Sequence, residues 1–589
     1  MCSLVELRPN RNLLDANFNG YKLSLDPVPV YRYNLLDEVD HVLPSDDQYS
    51  FLHIKAFGLH NHLYGDPWYE DTVYFIDKRW KIQKSLKSSG LLDNVLEVWE
   101  MPSNHVRKSG HYNTSLSFPS PEMAVLSDGA GTIHVVSTGS RAENKRWNVM
   151  FSDEVCGKEK SFTVLDSREN IANRREIHSL LFWVDEMKKE RENGSEEVKF
   201  ATQLEWITFS EGENQEWSMQ SVRQLSGAGG LDYAALEPGC QSLYISSGKP
   251  FQFHSDSENP VRKKECVDTK EEKKKPEYFW LQTNEDINIW FSVAEQITKA
   301  DLDVCVKTNY VKIECKNYIL LEGPTWHNLE AEITTWTINK GKLEIALVKA
   351  EQGLMWQELV KDDSRGEQIP DPALVEEVHQ RLAHLCSDKE IVDSSGNYPP
   401  TFNSQQLEEC DALPLETSVL VRLDVQTHDV THKINLGGHQ WLFNVPLKAD
   451  AVPAICLRHD VDGCLWQLER PRENKEWPCT HIGTFLAFGY VQASKTQKKF
   501  CSSAPDMSYV AICEASRHIY IYRQPAAIST ELRNRRTGQQ VAHIAKQQLV
   551  NLDSTAEMLG VYASNHILYV LTLDTLYALR ISCNSGNEL

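Results

Sequence analysis

The chain has 589 residues, 41% apolar and 24% charged, which is a globular composition too long for one ordinary core. Lys and Arg number 61 against 83 Asp and Glu, a formal net charge of −22, so the basic footprint of a general nucleic-acid binder is absent. Such acidity suits a protein that avoids polyanions and anionic membranes.

The opening MCSLVELRPNRNLLDANFNG has no basic start followed by an apolar core, so no secretory leader is expected. No window approaches 18 consecutive apolar residues; HILYVLTLDTLYALRI, His566 to Ile581, is broken by Thr572 and Asp574, and no membrane insertion is expected. The 14 cysteines include no Cys-x-x-Cys pair, and several sit in apolar runs, as Cys305 does in LDVCVK and Cys513 in VAICEA. They read as reduced core thiols, with cytoplasm and nucleus as the expected compartments. The sequons at Asn113 and Asn193 are then chance matches.

Residues 1–253 repeat one pattern: an apolar strand, a polar turn rich in Asp, Gly or Asn, and another apolar strand. AVLSDGAGTIHVVST (124–138) and YAALEPGCQSLYISS (233–247) are examples, with turns expected to take positive φ at Gly or Asn. Residues 254–277, HSDSENPVRKKECVDTKEEKKKPE, hold seven basic and seven acidic residues, and so little apolar surface predicts a linker.

The texture changes over 278–361. Ile287, Ile289 and Phe291 alternate, as do Leu302, Val304 and Val306, and Leu343, Ile345 and Leu347 follow an Asn339-Lys-Gly341 turn. Period-2 alternation predicts antiparallel strands with one buried face, here a compact β-sandwich. Trp290 breaks the inward alternation and is expected to face out or to contact a neighbour. Residues 362–411 read as a helical connector. Asp371-Pro372 opens a helix whose apolar face is Leu374, Val378, Leu382 and Leu385, and a second short helix is expected at 404–409.

Residues 412–589 return to the first pattern, in CLRHDVDGCLWQL (456–468), VAICEASRHIYIYR (510–523) and GVYASNHILYVLTLDTLYALRI (560–581). The two flanks total 431 residues, about ten units at 40–45 residues per propeller blade. Long excursions at Lys158–Glu176 and Glu186–Glu197 reduce that to about seven or eight. Either flank alone would leave open sheet edges, whereas a closed ring leaves none of consequence. The expected fold is mostly β: a WD-repeat-like propeller of about seven blades built from both flanks, although no repeat carries the Trp-Asp signature.

Catalytic patterns fail. The chain has no Gly-x-Ser-x-Gly elbow, no phosphate-binding loop and no His-Glu-x-x-His. Gly129-Ala-Gly131 has no helix after it and reads as a turn. His60-Asn-His62 lacks a third ligand nearby in sequence. Arg458-His459-Asp460 reads as a blade turn, and Lys495 with Lys498-Lys499 and Arg533-Asn-Arg535-Arg536 as solvated loop faces. No catalytic, cofactor-binding or metal residue is assigned.

The runs YFWLQTNEDINIWFSV (278–293), TTWTINKGKLEIALVK (334–349) and GLMWQELV (353–360) resemble the CS domain of the NudC family. The flanks resemble one member of that family through GYKLSL (20–25), DDQY (46–49), YAALEP (233–238), LEECD (407–411), CLRHDVD (456–462), GYVQASK (489–495) and IYRQPA (521–526). The resemblance implies an α-crystallin-like sandwich without catalysis, associated with the ninety-kilodalton heat-shock chaperone and with clients, notably β-propeller proteins. It implies binding through one sheet face and its edge. Tyr278, Trp280 and Gln282 in the opening strand, and Trp356 with Leu359 in the closing motif, are the implied contacts, beside Trp290. Two functions follow: a co-chaperone adaptor whose propeller selects the partner, or a scaffold in which the sandwich is only a structural insert.

Overall fold

The computed structural model describes residues 3–261, 278–368 and 418–581, apart from positions 89–90, 103–105, 158–159, 173, 191–195, 284, 294–296, 317, 340, 353, 355, 357, 362, 364, 437–438, 472–475, 529–532, 534–537 and 539. Contacts divide the chain into two units, Met1–Val261 with Asn403–Leu589, and Arg262–Phe402.

Among the described residues of the first unit the apolar runs pair into seven sheets, antiparallel apart from short outer strands on two of them, and each sheet is a blade. Blade 1 spans Tyr64–Gly65 to Leu91–Glu100, blade 2 Ser115–Ser120 to Asn148–Glu154, and blade 3 Thr163–Asn170 to Trp217–Gly227. Blade 4 pairs Leu231–Leu236 and Ser242–Ser247 with Val419–Asp424 and Val430–Asn435. Blade 5 runs from Gln440–Val445 to Cys479–Phe485 and blade 6 from Lys498–Ser503 to His543–Asn551. Blade 7 holds Gly560–Ala563, Ile567–Leu571 and Thr575–Arg580, and takes its outer strand, Val30–Asn34, from the start of the chain.

Seven apolar cores, one between each pair of neighbouring blades, show that these sheets form a ring. The last joins Val73 and Phe75 of blade 1 to Ile567, Tyr569 and Leu571 of blade 7. A seven-bladed propeller closed by both flanks is therefore the fold. A strand between two neighbouring sheets is covered on both faces, which is why Val73–Ile76, Met123–Ser127 and Ile567–Leu571 are apolar runs buried at every position.

The meander turns fall where the sequence places them, with one difference. The left-handed position is Asp460 (φ 52°) in blade 5 and Arg517 (φ 62°) in blade 6, not only glycine. At Gly129-Ala-Gly131, Asp128 Oδ1 accepts the N–H groups of Ala130, Gly131 and Thr132 at 2.7–3.0 Å, which confirms a turn. The excursions are not all loop. Thr163–Asn170 is the inner strand of blade 3, and its next two strands, Glu176–Glu190 and Glu196–Glu211, lengthen the hairpin. Asn113 is buried and its Oδ1 accepts from Val42 N–H at 2.7 Å, a structural role.

The chain start follows the ring from outside. Ser3–Val5 lies parallel to the outer strand of blade 4, and Asn10 N–H donates to His481 Nδ1 of blade 5 at 3.0 Å. Lys22–Leu23 lies parallel to the outer strand of blade 6. After Val30–Asn34, residues 35–63 cross to blade 1 and include a helix, Phe51–Gly58, whose N-cap Ser50 accepts from His53 N–H at 3.3 Å.

The second unit is a sandwich. One sheet has the order Thr335–Asn339, Lys342–Val348, Asp286–Ser292, Tyr278–Gln282 and Gly366–Gln368, the last strand parallel to its neighbour. The other holds Leu302–Lys307, Tyr310–Cys315 and Tyr318–Pro324. Ile287, Ile289, Phe291, Leu343, Ile345 and Leu347 form its core as the alternation predicts. Gly366 is required, because a Cβ there would lie 2.2 Å from the Tyr278 ring.

Two boundaries move. Gln252–Asp256 pairs with Trp217–Gly227, so the charged stretch taken as linker from residue 254 begins inside blade 3. The sandwich extends beyond 361 to the strand Gly366–Gln368. The expected helices at 371–385 and 404–409 lie outside the described residues, as does most of the 254–277 segment.

A candidate protein-interaction face on the sandwich

The strand Tyr278–Gln282 decides which side of the sandwich can meet a partner. Gln282 stands opposite Ile287, Trp280 opposite Ile289 and Tyr278 opposite Phe291. Directly paired residues share a face, so the buried Ile287, Ile289 and Phe291 carry Tyr278, Trp280 and Gln282 inward. Of the six residues expected as contacts, Tyr278, Trp280, Gln282, Trp356 and Leu359 are only 1–3% exposed. They are core, and this corrects the expectation. A fully buried ring holds the sandwich together and is not available to another protein.

Gln282 has a structural task that explains its burial. Its Nε2 donates to the Trp356 carbonyl and its Oε1 accepts from Trp356 N–H, both at 2.8 Å. The same Oε1 accepts from Lys349 Nζ at 3.0 Å, which also donates to the carbonyls of Thr283 (2.8 Å) and Leu354 (2.7 Å). Lys349 is thus a buried ammonium surrounded by oxygen dipoles, and burial lowers its pKa from the usual lysine value. One amide staples the Leu354–Val360 segment onto the five-stranded sheet. Tyr278 Oη adds a 3.4 Å bond to Asp363.

Trp290 is placed as expected. It has the parity opposite to Ile289 and Phe291 and is partly exposed on the outer face. Directly across the strands stands Phe279, 39% exposed. The register continues this row to Glu344 and Thr337 on one side and to Glu367 on the other. Leu281 and Ala346 border Asn288 in the next row. The outer face therefore presents an aromatic pair with a glutamate on each flank. Phe279 was missed; its signal is parity, since YFWLQ cannot send adjacent residues to the same side.

The ring offers a second concave surface. A cavity of about 590 Å³ opens where the innermost strands of blades 1 to 5 end, walled by Pro67, Trp68, Phe118, Pro119, Arg168 and Pro446. Proline fixes the backbone and leaves carbonyls without N–H donors, so this wall is pre-organised.

Thiol chemistry finds little support. Burial pushes the thiols of Cys464 and Cys501 up to about 12, far from a reactive thiolate. Among the described residues no group of three His, Cys, Asp or Glu is placed to hold a metal ion, and no helix is long and apolar enough to cross a membrane.

The CS domain family matches residues 276–349. NudC domain-containing protein 1 of Mus musculus is 37% identical over 584 residues, covering 98% of both chains. NudC domain-containing protein 1 of Xenopus laevis is 35% identical over 585 residues, again 98% of both. Among solved structures, the nuclear movement protein from E. cuniculi is 21% identical and covers 14% of this chain and 98% of that chain, with a TM-score of 0.13. The WD40 domain of SCAP from fission yeast is 8% identical and covers 94% of this chain and 98% of that chain, with a TM-score of 0.26. The ring itself rests on its seven sheets and seven cores.

Proposed function

The chain belongs to the family of NudC domain-containing protein 1, and on that premise we propose a non-enzymatic co-chaperone-like adaptor. The sandwich meets a heat-shock chaperone or a client, a β-propeller protein among them, and the ring selects the partner through surfaces such as its proline-walled mouth. The observation that carries this reading is the outward pair Phe279 and Trp290. Exposed aromatics in a β-sheet face, with polar residues on both flanks of their row, have the make-up of a contact centre. The flanking Glu344 and Glu367 favour a partner segment with an apolar anchor between basic residues. The adaptor works in cytoplasm and nucleus, where its thiols stay reduced.

The test is suppression of client aggregation, and capture of the ninety-kilodalton chaperone, by the full chain. Phe279→Ala with Trp290→Ala should reduce both at least tenfold with little loss of thermal stability. Activity unchanged in that double variant would sink the proposed face, and a wild-type chain inert in both assays would sink the adaptor.

A scaffold is the second reading, favoured by one observation. Blade 4 is complete without the insertion, because Ser242–Ser247 pairs directly with Val419–Asp424. A chain lacking residues 262–402 should therefore keep the ring. If it retains every partner in a pull-down, the scaffold reading prevails.

A further inference from the structure

Where the ring closes, three histidines meet. His60 and His62 precede the innermost strand of blade 1, and His41, nineteen residues before His60, joins them from the segment that follows the closing strand. The rings of His60 and His62 have centroids 4.6 Å apart at 75°, and those of His41 and His62 5.2 Å apart at 88°. This is edge-on stacking. It does not turn three ring nitrogens onto one point, and no metal-holding group is found among the described residues.

The surroundings disfavour a charge on these imidazoles. His60 Nε2 lies 3.2 Å from the Thr114 carbonyl of blade 2, which can only accept, so that nitrogen carries the proton; Tyr64 Oη is 3.3 Å away. Lys499 of blade 6 is the nearby cation and Asp40 and Glu557 the nearby anions. Both carboxylates are already engaged, Asp40 with Arg107 and with Thr114 Oγ1 at 3.2 Å, and Glu557 with Lys499 at 2.8 Å. They partly offset a charge on His41 and are not free to neutralise all three rings.

The seam has no slack. Asn61 clasps blade 7, its Nδ2 donating to the Val561 carbonyl at 2.9 Å and its Oδ1 accepting from Val561 N–H at 3.0 Å. His62 N–H donates to the Leu559 carbonyl at 3.0 Å. A Cβ on Gly560 would lie 2.6 Å from Leu63 N, and one on Gly65 1.9 Å from the Tyr562 ring. His41 and His60 are half-buried, but His62 is only 3% exposed, and a hydration shell for an imidazolium there does not fit unless blades 1 and 7 part.

We propose that His41, His60 and His62 form a proton-sensitive latch, which acid opens by releasing residues 35–63 and loosening the joint between blades 7 and 1. The sign follows from burial. It lowers all three pKa values below the usual 6.5, His60 to about 4. The open form therefore binds more protons, so the latch is fully closed above about 6.5 and weakens as pH falls from there towards 4. For His60 alone, going from about pH 7.5 to 5.5 favours opening about tenfold.

Hydrogen exchange of the full chain at those two pH values, corrected for intrinsic rates, tests the latch. Protection over residues 35–63 and 560–571 should fall about tenfold more than over the histidine-free strands 286–292 and 342–348 of the sandwich. An equal change in both regions overturns the proposal. The variant His41→Asn with His60→Gln should show a smaller difference between the regions, and an undiminished difference overturns it. Added zinc that raises protection at the seam at neutral pH would also overturn it, in favour of a metal site.

Discussion

Ring and sandwich are both antiparallel β, yet they bury their strands differently. A blade lies between two neighbours, so Met123–Ser127 and Ile567–Leu571 are covered on both faces. A sandwich strand has one dry face, and Asp286–Ser292 alternates between buried and accessible. In the ring a one-residue error of parity moves a side chain from one core to the next. In the sandwich the same error exchanges core for binding surface. Polar groups follow the same division. The ring buries whole ion pairs, Arg141 with Asp66 between two blades and Arg422 with Glu237 within blade 4. The sandwich buries the Lys349 ammonium in a net of side-chain and backbone carbonyls.

The sharpest break of that contrast is Arg141→Met. Arg141 is wholly buried; its Nε and Nη2 reach Asp66 at 2.6 and 3.1 Å, and its Nη1 donates to the Ser120 carbonyl at 3.0 Å. It ties the Asp66 turn of blade 1 to blade 2 and lies over the Phe118 ring at 4.4 Å. Removing it leaves a buried carboxylate with only N–H and O–H partners, and the ring should lose about 3–5 kcal/mol. Thermal unfolding followed by segmental exchange should show the loss in blades 1 and 2, with protection over 278–348 unchanged.

Gln282→Leu is the corresponding cut in the sandwich. It orphans both backbone groups of Trp356 and removes one oxygen from Lys349. The loss should be about 2–3 kcal/mol, confined to the sandwich. A variant that keeps full protection at 354–360 would show that the amide staple is dispensable.

These variants also mark what was legible in the sequence. Strand positions and the ring were, because apolar runs between turns are local and their number brings the blade count to about seven or eight once excursions are set aside. The alternation of Ile287, Ile289 and Phe291 named the core of the sandwich. The contact residues were not legible: the resemblance implies Tyr278, Trp280 and Gln282, whereas pairing with Phe291, Ile289 and Ile287 sends them inward. Trp356 and Leu359 are buried from a segment outside the strands that Gln282 binds to the sheet. Phe279 lay between Tyr278 and Trp280. The histidine latch was half visible: His60 and His62 share a tripeptide, but His41 joins them only when the chain closes the ring. The strap from Ser3 to Leu23 could not be read, because parallel pairings of two or three residues leave no periodic trace.

That strap supports the smallest prediction. Both units cover exposed sheet edges with short parallel strands, Ser3–Val5 and Lys22–Leu23 on the ring and Gly366–Gln368 on the sandwich. Lys22 and Leu23 are exposed and bury almost nothing, so the strap must be held elsewhere. Its anchor is Tyr21, packed at 4.9 Å against the Tyr522 ring, with its Oη donating to the Leu486 carbonyl at 2.7 Å. Tyr21→Phe keeps the ring contact and removes two hydrogen bonds, the one given to Leu486 and one accepted from Gln524 Nε2 at 3.3 Å, so it should cost about 1–2 kcal/mol. Exchange at residues 20–25 should rise while the outer strand of blade 6, His543–Asn551, loses protection only at Lys546 and Gln547, the residues paired to the strap. Loss throughout that strand would mean that the strap supports the blade. Loss at the paired residues alone would mean that it only covers an edge, which is the role the sandwich gives to Gly366–Gln368.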